Sequence, residues 1–505
     1  MLVRKILSSH GLFWLIPVIL VLPFILRINT DSYYMIATGE YIIEHGIPET
    51  NPFLVMDGMD IAIQNWLYCV LHYYCSRDIG LIGIQLLSVA QYILFSYICF
   101  RLLRALGHTD MESGVFTCLS DICMAHVMKS ARPALLTFIW LLLIIYGLEQ
   151  YRNNDSKMIL TVLPAASIFT ANVQSSNLMF LFCPIIAFMA AYVANKFKKR
   201  STNTYISSLG ISTAAAGLLA FVNPYQAANV FYLFQSLGHV EAPELQPLSL
   251  ETWDTPFIVL GLVTVFIIFL IMCISPEIDY YRLFLLMGFG FLAFTCKRNI
   301  IFLIPAMILE IILDEVFLVL NEVCRAVAWI ESRIKDKWPQ SIQRIQKMHQ
   351  LAKLVLILAI VFLGFFWEIK LTENIFLTGD IRKQVYVMKD DGDLLQYFDN
   401  HGIDLDGTTI WPGNPALEMF GAKVLLEPRL EISDSAINHH ADLYTEFKQV
   451  IGSYRQEQID DYFSRYQFDY FIVDQGSKMD LYFQTHSSYQ TCMETDEIVL
   501  YRNTE

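Results

Sequence analysis

Charged side chains are scarce in this chain, and their scarcity excludes an ordinary soluble globular protein. Only 17% of the 505 residues are charged, while 55% are apolar; soluble domains carry about 25% charged residues. The ten cysteines include no CxxC pair and no Cys/His cluster at metal-ligand spacing. Neither a zinc site nor a disulfide framework is therefore indicated.

In place of charge, the chain has a series of long apolar runs. A run of about 17 to 25 residues crosses a hydrocarbon core, and the runs here predict a polytopic α-helical membrane protein with about eleven transmembrane helices. No small-residue cleavage pattern follows the first run, so we expect it to remain as an anchor. The predicted spans lie near residues 11–26, 80–103, 112–128, 133–149, 158–172, 177–195, 205–222, 255–274, 282–296, 300–320 and 353–369.

The distribution of lysine and arginine predicts the orientation, because cytoplasmic loops carry an excess of both. With the N-terminus inside, 18 basic residues among the first 370 fall in cytoplasmic segments and seven fall outside. An odd number of spans then puts the C-terminus outside. We therefore expect a plasma-membrane protein with a cytoplasmic N-terminus and an extracytoplasmic C-terminal domain.

A change in charge marks a predicted boundary between a transmembrane domain, residues 1–370, and a tail, residues 371–505. The tail contains ten basic and 24 acidic side chains, so it alone accounts for the net charge of −14. Short apolar runs alternate there with helical patterns, which predicts a small extramembrane α/β domain. Its closing segment, Glu497-Ile-Val-Leu-Tyr-Arg, is predicted to be an edge strand.

The first predicted external segment, residues 27–79 and here called the first loop, is rich in acidic and aromatic side chains. Such a surface suits sugars, because aromatic faces cover C–H patches while carboxylates accept hydroxyl hydrogen bonds. Composition alone still favours an ordinary acidic loop. Asp31 lies where the chain leaves the membrane and is a candidate catalytic base. The candidate sugar contacts are Tyr33, Tyr34, Glu40 and Trp66.

Two short predicted external turns carry paired basic residues, Lys129 with Arg132 and Lys297 with Arg298. External loops otherwise avoid such charges. A phosphate at the membrane surface would explain them, since arginine binds phosphate oxygens with two parallel hydrogen bonds. Snorkelling toward the outer head groups is the alternative.

One acidic residue, Asp121, lies in the middle of a predicted span. An ionised group there costs about 2.5–3.5 kcal/mol on insertion scales. We therefore expect Asp121 to face the interior of the helix bundle. A structural hydrogen bond, a pairing with one of the basic residues and a catalytic role are the alternatives there.

Several short motifs follow one another in a set order. In the first loop they are Asp31-Ser-Tyr-Tyr, Gly39 to Pro48, Asn51-Pro-Phe and Gln64-Asn-Trp-Leu; later ones are Arg132-Pro133, Asn172, Asn223-Pro-Tyr225, Glu244-Leu-Gln-Pro247, Arg298-Asn299, Trp411-Pro-Gly-Asn and Leu425-Leu-Glu-Pro-Arg429. This ordered set resembles bacterial membrane proteins of the GT-C glycosyltransferase class. Two positions depart from that pattern: Met35 stands where a histidine is often found, and Leu245 where a tryptophan is expected.

The resemblance implies a GT-C-like fold and an inverting transfer of sugar from a polyprenyl-phosphate-linked donor to an extracytoplasmic glycan or protein acceptor. Asp31 would be the base, while Arg132, Lys297 and Arg298 would hold the phosphate and Glu244 would contact substrate. Membrane lipids are the other expected partner, and no nucleic-acid partner is expected. No cofactor is certain, and the use of a divalent metal is left open.

Two other functions compete with this interpretation. A non-catalytic GT-C-like membrane protein could bind cell-envelope polymers or partners through its acidic tail. A transporter is disfavoured, because no half-to-half repeat or paired broken helices are visible in the sequence.

Overall fold

The computed structural model describes residues 14–26, 28–108, 110–128, 130–198, 206–236, 278–295, 389–429 and 435–504, with Phe266, Asn299 and Ser433 as single residues. The predicted spans at 255–274 (apart from Phe266), 300–320 and 353–369 lie outside the described residues. So does the predicted boundary between residues 370 and 371.

Apolar helices form the N-terminal part of the protein. Each predicted span within the described residues coincides with a helix, and the short helices Ala227–Val230 and Tyr232–Ser236 follow the seventh of them. The helices are Leu15–Ile25, Leu81–Ala105, Asp110–Val127, Pro133–Asn154, Ile159–Val173, Cys183–Phe197 (preceded by the 3-10 helix Ser175–Phe182), Ile206–Leu219 and Tyr280–Thr295.

Three helical segments are long and apolar enough to cross a membrane alone: Leu81–Ala105, Pro133–Asn154 and Ser175–Phe197. Leu15–Ile25 and Thr30–His45 meet at 90° and add a fourth span if they are counted as one broken segment. The described residues thus belong to a membrane protein with three or four candidate spans. The predicted number of eleven is not confirmed, because several helices are shorter than the ~20 residues of a straight crossing.

Helix Pro133–Asn154 lies at the centre of the bundle. Its most apolar window is 72% buried, compared with 39% for Leu81–Ala105. Side chains on different faces of it, including Leu141, Leu142 and Ile144, are fully buried, as expected of a helix that is apolar all round.

Contacts between helix ends divide the bundle into two sides. On one side, Arg152 donates two hydrogen bonds of 2.8 Å to the Asp279 carboxylate. On the other, the backbone N–H of Ser175 donates to the carbonyl of Gln64 at 2.9 Å. Ends that the charge distribution assigns to the same side are therefore in contact with one another.

The first loop is largely helical. Helix Thr30–His45, here called the Asp31 helix, packs against helix Trp66–Arg77. The two backbones approach so closely at Gly39 that an added Cβ atom would lie 2.1 Å from the Cys69 carbonyl oxygen. Glycine is the residue that permits such an approach.

The tail contains a five-stranded sheet in the order β2-β1-β3-β5-β4, formed by β1 (Thr409–Trp411), β2 (Lys423–Val424), β3 (Tyr470–Asp474), β4 (Tyr489–Glu494) and β5 (Ile498–Asn503). The predicted α/β character of the tail is confirmed. The prediction of an edge strand at residue 497 onward is wrong, because β5 pairs with both β3 and β4. The tail helices are Lys389–Asn400, Pro415–Glu418, Ser435–Asn438, Leu443–Gly452, Gln456–Arg465 and Lys478–Thr485.

The first loop adds a further short pairing to this sheet. The Val424 N–H donates to the Phe53 carbonyl at 2.8 Å, and the Val55 N–H donates to the Val424 carbonyl at 2.9 Å. Leu54 and Met59 are each 2% exposed and belong to the tail's hydrophobic core. The first loop and the tail therefore share one core.

Candidate functional site

Asp31 lies in the first turn of its helix, two residues beyond the N-cap Asn29. The Asn29 side chain accepts a 2.7 Å hydrogen bond from the Asp31 backbone N–H and caps the helix. The N-terminal end of the helix dipole favours a negative side chain at this position. The Asp31 carboxylate is 26% exposed, so it remains accessible to a ligand.

The partner of Asp31 is Arg132, whose guanidinium forms an ion pair with the carboxylate. Arg132 is the N-cap of helix Pro133–Asn154, and its side chain is 24% exposed. The predicted base and one predicted phosphate-binding residue thus lie in direct contact, although 101 positions separate them in sequence.

Buried polar side chains lie next to the Asp31–Arg132 pair and form hydrogen bonds with the backbone of Arg132 and with one another. Gln91 accepts a 3.3 Å hydrogen bond from the Arg132 backbone N–H and donates one of 2.7 Å to the Tyr68 hydroxyl. His72 lies one turn further along the Tyr68 helix and is fully buried. Burial lowers the pKa of the His72 imidazole to about 3, with the charge of Arg132 as a smaller cause, so the ring is neutral.

The predicted sugar contacts of the first loop are mostly buried, whereas side chains of an open loop would be exposed. Tyr33 is fully buried and Tyr34 is 7% exposed, while Glu40 is half-buried on the same helix. Trp66 donates a 3.0 Å hydrogen bond from its indole nitrogen to the Asn172 side chain. The Asp31–Arg132 pair is therefore more exposed than the two tyrosine rings.

Lys297, Arg298 and Glu244 lie outside the described residues, as does Lys129.

Asp121 does face the bundle interior, as its position in a span predicts. It is fully buried and accepts a hydrogen bond from Ser96 on the neighbouring helix.

The sequence interpretation gave no role to three buried charged residues of the tail: Glu418, which it did not single out, and Glu427 and Arg429, which it named only as part of a motif. Each is at most 4% exposed. The Arg429 Nε donates a 2.6 Å hydrogen bond to Glu427, and its guanidinium lies 5.0 Å from the centre of the Tyr34 ring. The available signal was a glutamate and an arginine two residues apart, directly after the apolar run that contains β2.

Burial acts in opposite directions on the pKa values of Glu418 and Arg429. Burial, reinforced by the charge of Glu427, raises the pKa of Glu418 well above its ordinary value, with Arg429 opposing the rise. Burial would lower the pKa of Arg429, but the carboxylates of Glu427 and Glu418 outweigh it and raise that pKa. The cluster therefore holds a permanent cation beneath Tyr34.

Residues from the separate motifs contact one another in the structure. The Asn51 side chain donates to the Glu427 carboxylate, and the Tyr225 hydroxyl donates to the Pro48 carbonyl at 2.9 Å. The Pro412 carbonyl accepts hydrogen bonds from the N–H groups of Leu425 and Leu426, at 3.1 and 2.8 Å. The motifs thus converge around the first loop and the adjoining edge of the sheet.

A polar cleft of about 740 Å³ lies elsewhere in the tail, at the amino-terminal ends of the parallel strands β1 and β3. Its lining includes Asp406, Asp469, Gln490 and Arg502.

Within the described part of the chain, no group of three or more His, Cys, Asp or Glu side chains is arranged to hold a metal ion.

Comparison with known proteins finds no family model that matches this chain and no curated protein with a significant match. The functional interpretation therefore depends on the geometry of the site and on the motif resemblance.

Proposed function

We propose that this protein is a membrane glycosyltransferase that moves a sugar from a polyprenyl-phosphate donor to an extracytoplasmic acceptor. The observation that carries the proposal is the ion pair between Asp31 and Arg132. It joins a candidate base to a candidate phosphate ligand at the ends of apolar helices. A lipid-linked phosphate would reach that depth from the membrane surface.

In the proposed reaction, Asp31 accepts the proton of the acceptor hydroxyl as that oxygen attacks the anomeric carbon. The bond between the anomeric carbon and the phosphate oxygen breaks, and its electron pair leaves with the polyprenyl phosphate. Arg132 offsets the charge on the departing phosphate, together with Lys297 and Arg298 as predicted from the sequence. Attack opposite the leaving group inverts the anomeric centre.

The resting ion pair gives the proposal an order of events. A donor phosphate competes with Asp31 for the Arg132 guanidinium, whose fork of N–H groups matches phosphate oxygens. Once Arg132 turns to the phosphate, the Asp31 carboxylate is free to accept a proton. Donor binding would thereby switch on the base.

The donor class is tested with the purified protein in liposomes. Radiolabelled hexoses linked to polyprenyl phosphate are compared with the corresponding nucleotide sugars, and release of labelled product is measured with and without a cell-envelope extract as acceptor. We expect turnover of a lipid-linked donor alone. Turnover of nucleotide sugars alone would overturn the proposed donor.

The non-catalytic alternative is favoured by one observation, the polar cleft in the tail. Amide and carboxylate groups of this kind suit the hydroxyls of a glycan. Binding of envelope polysaccharide that is abolished by Arg502→Ala, together with no turnover of any donor, would support that alternative.

A further inference from the structure

One buried cation of the tail, Arg429, lies against the Asp31 helix, which the tail helix Pro415–Glu418 also contacts. Its guanidinium lies 5.0 Å from the centre of the Tyr34 ring and 5.9 Å from that of Phe53. Its ion-pair partner, Glu427, also accepts a hydrogen bond from Asn51. A charged pair of the tail is thus enclosed by three residues of the first loop.

Tyr34 follows Asp31 by three positions on one helix, so the two side chains are neighbours on its surface. Whatever fixes the Tyr34 ring therefore fixes the first turn that carries Asp31. Arg132 holds that turn at the Asp31 carboxylate, and Arg429 holds it at Tyr34. The first turn lies between two arginines, one from the helix bundle and one from the tail.

We propose that Arg429 is a positioning residue that, through Tyr34, sets the place of Asp31 relative to Arg132. The proposal rests on the function proposed above, but it predicts a structural effect as well as a kinetic one. Arg429 itself does not contact the reacting atoms; it acts through the Asp31 helix.

The planar guanidinium is essential to this role, because it lies over the Tyr34 ring while it pairs with Glu427. Lysine keeps the charge but loses the plane, whereas glutamine loses the charge and leaves Glu427 buried without its cation. We therefore expect Arg429→Lys to be milder than Arg429→Gln in every readout.

Arg465 offers a matched control within the tail. It also pairs with a glutamate, at 3.4 Å from Glu446, and also lies against tyrosine rings, at 5.8 Å from Tyr462 and 5.4 Å from Tyr466. These partners all belong to the tail. Arg465→Gln therefore removes an arginine–glutamate pair beside tyrosine rings, at a half-exposed site, without touching the Asp31 helix.

The test combines hydrogen exchange with kinetics on the full-length protein in detergent or liposomes. In Arg429→Gln we expect the amides of the Asp31 helix to exchange about tenfold faster, while those of helix Lys389–Asn400 keep their rates. Arg465→Gln should leave the Asp31 helix unchanged. Equal exchange of that helix in wild type and Arg429→Gln would overturn the positioning role, whatever the enzyme activity.

The kinetic arm separates positioning from general stability. If Arg429 acts through the Asp31–Arg132 geometry, the two substitutions affect the same geometry and their effects are not independent. The fold-loss of kcat in the double variant Arg429→Lys/Arg132→Lys should then be smaller than the product of the two single-variant fold-losses. Fully multiplicative losses would contradict the positioning role. Wild-type turnover in Asp31→Asn would instead overturn the proposed function and leave the exchange result to decide the role of Arg429.

Discussion

At the scale of single residues, the proposed catalysis depends on the contact between Asp31 and Arg132. Each was a candidate from sequence for a separate reason, the acidic one as a base and the basic one as a phosphate ligand. Both remain about a quarter exposed in the ion pair, so the pair is open to a competing anion. That combination distinguishes it from the fully buried contact between Ser96 and Asp121.

Replacement of Arg132 tests the phosphate role. Hydrogen bonds to charged groups contribute about 1.5–3 kcal/mol, so Arg132→Gln should lower kcat/KM for the lipid-linked donor by about 10- to 100-fold. Arg132→Lys should fall between that variant and wild type. Arg101→Gln, at an exposed arginine over the Tyr97 ring, is the control. An unchanged kcat/KM in Arg132→Gln would exclude the phosphate role.

Glu418 gives a prediction about pH. Both of its carboxyl oxygens lack hydrogen-bond partners among the described residues, and its pKa is raised well above the ordinary 4.5. The folded state therefore holds a proton that the unfolded chain releases, and stability is lost as the pH rises from about 4.5 toward the folded-state pKa.

Glu418→Gln removes this titration and keeps the shape of the side chain. We expect the variant to be at least as stable as wild type at pH 7 and less sensitive to pH between 5 and 8. Thermal unfolding across that range provides the measurement. Parallel stability curves for the two proteins would show that Glu418 does not titrate on unfolding.

At the scale of elements, the close contact between the Asp31 helix and helix Trp66–Arg77 is the feature most open to test. Gly39→Ala places a methyl group against the backbone of Cys69, which cannot move like a flexible side chain. Such overpacking costs about 1–3 kcal/mol. Gly210→Ala, which meets no atom within 4 Å, should be neutral or stabilising.

Thermal unfolding in detergent compares these two glycine variants, and transfer activity should follow the stability of the Asp31 helix. A Gly39→Ala protein as stable and as active as Gly210→Ala would show that the two helices need not approach so closely.

The sequence predicted helices at the described spans but not the helical first loop, and the reason is physical. Residues 32–39 of the Asp31 helix are all buried, polar and apolar alike. No one-sided apolar stripe therefore exists to indicate a helix. The error over β5 has a similar origin: its run of three buried residues, Val499 to Tyr501, is typical of a strand covered on both faces.

At the scale of the whole molecule, the tail and the first loop form one structure. The hydrogen bond from Asn51 to Glu427 joins residues 376 positions apart, and Leu54 lies in the tail's core. Patterns in a single sequence report local periodicity and charge. They therefore predicted the acidic first loop and the α/β tail, but not the contact between them. The pairing of Asp31 with Arg132 escaped the sequence for the same reason.

The shared core predicts that the first loop and the tail lie on the same side of the membrane. Cysteines introduced at the exposed positions Glu44 and Asp496, in a Cys492→Ser background, should both react with a membrane-impermeant maleimide in intact cells. A cysteine at the exposed Asn154 should react only after the cells are permeabilised. Labelling at residue 154 alone would invert the predicted orientation, and labelling of only one of the other two would contradict the shared core.

Sugar transfer from a lipid-linked donor by purified Asp31→Asn protein decides whether Asp31 is the proposed catalytic base. The control is Asp57→Asn, which changes an almost fully exposed carboxylate of the same loop. We expect Asp31→Asn to lose transfer by at least about 100-fold, the lower range for a general base, with an unchanged unfolding temperature. Asp57→Asn should keep wild-type activity. Wild-type transfer in Asp31→Asn would contradict the claim that Asp31 is the catalytic base.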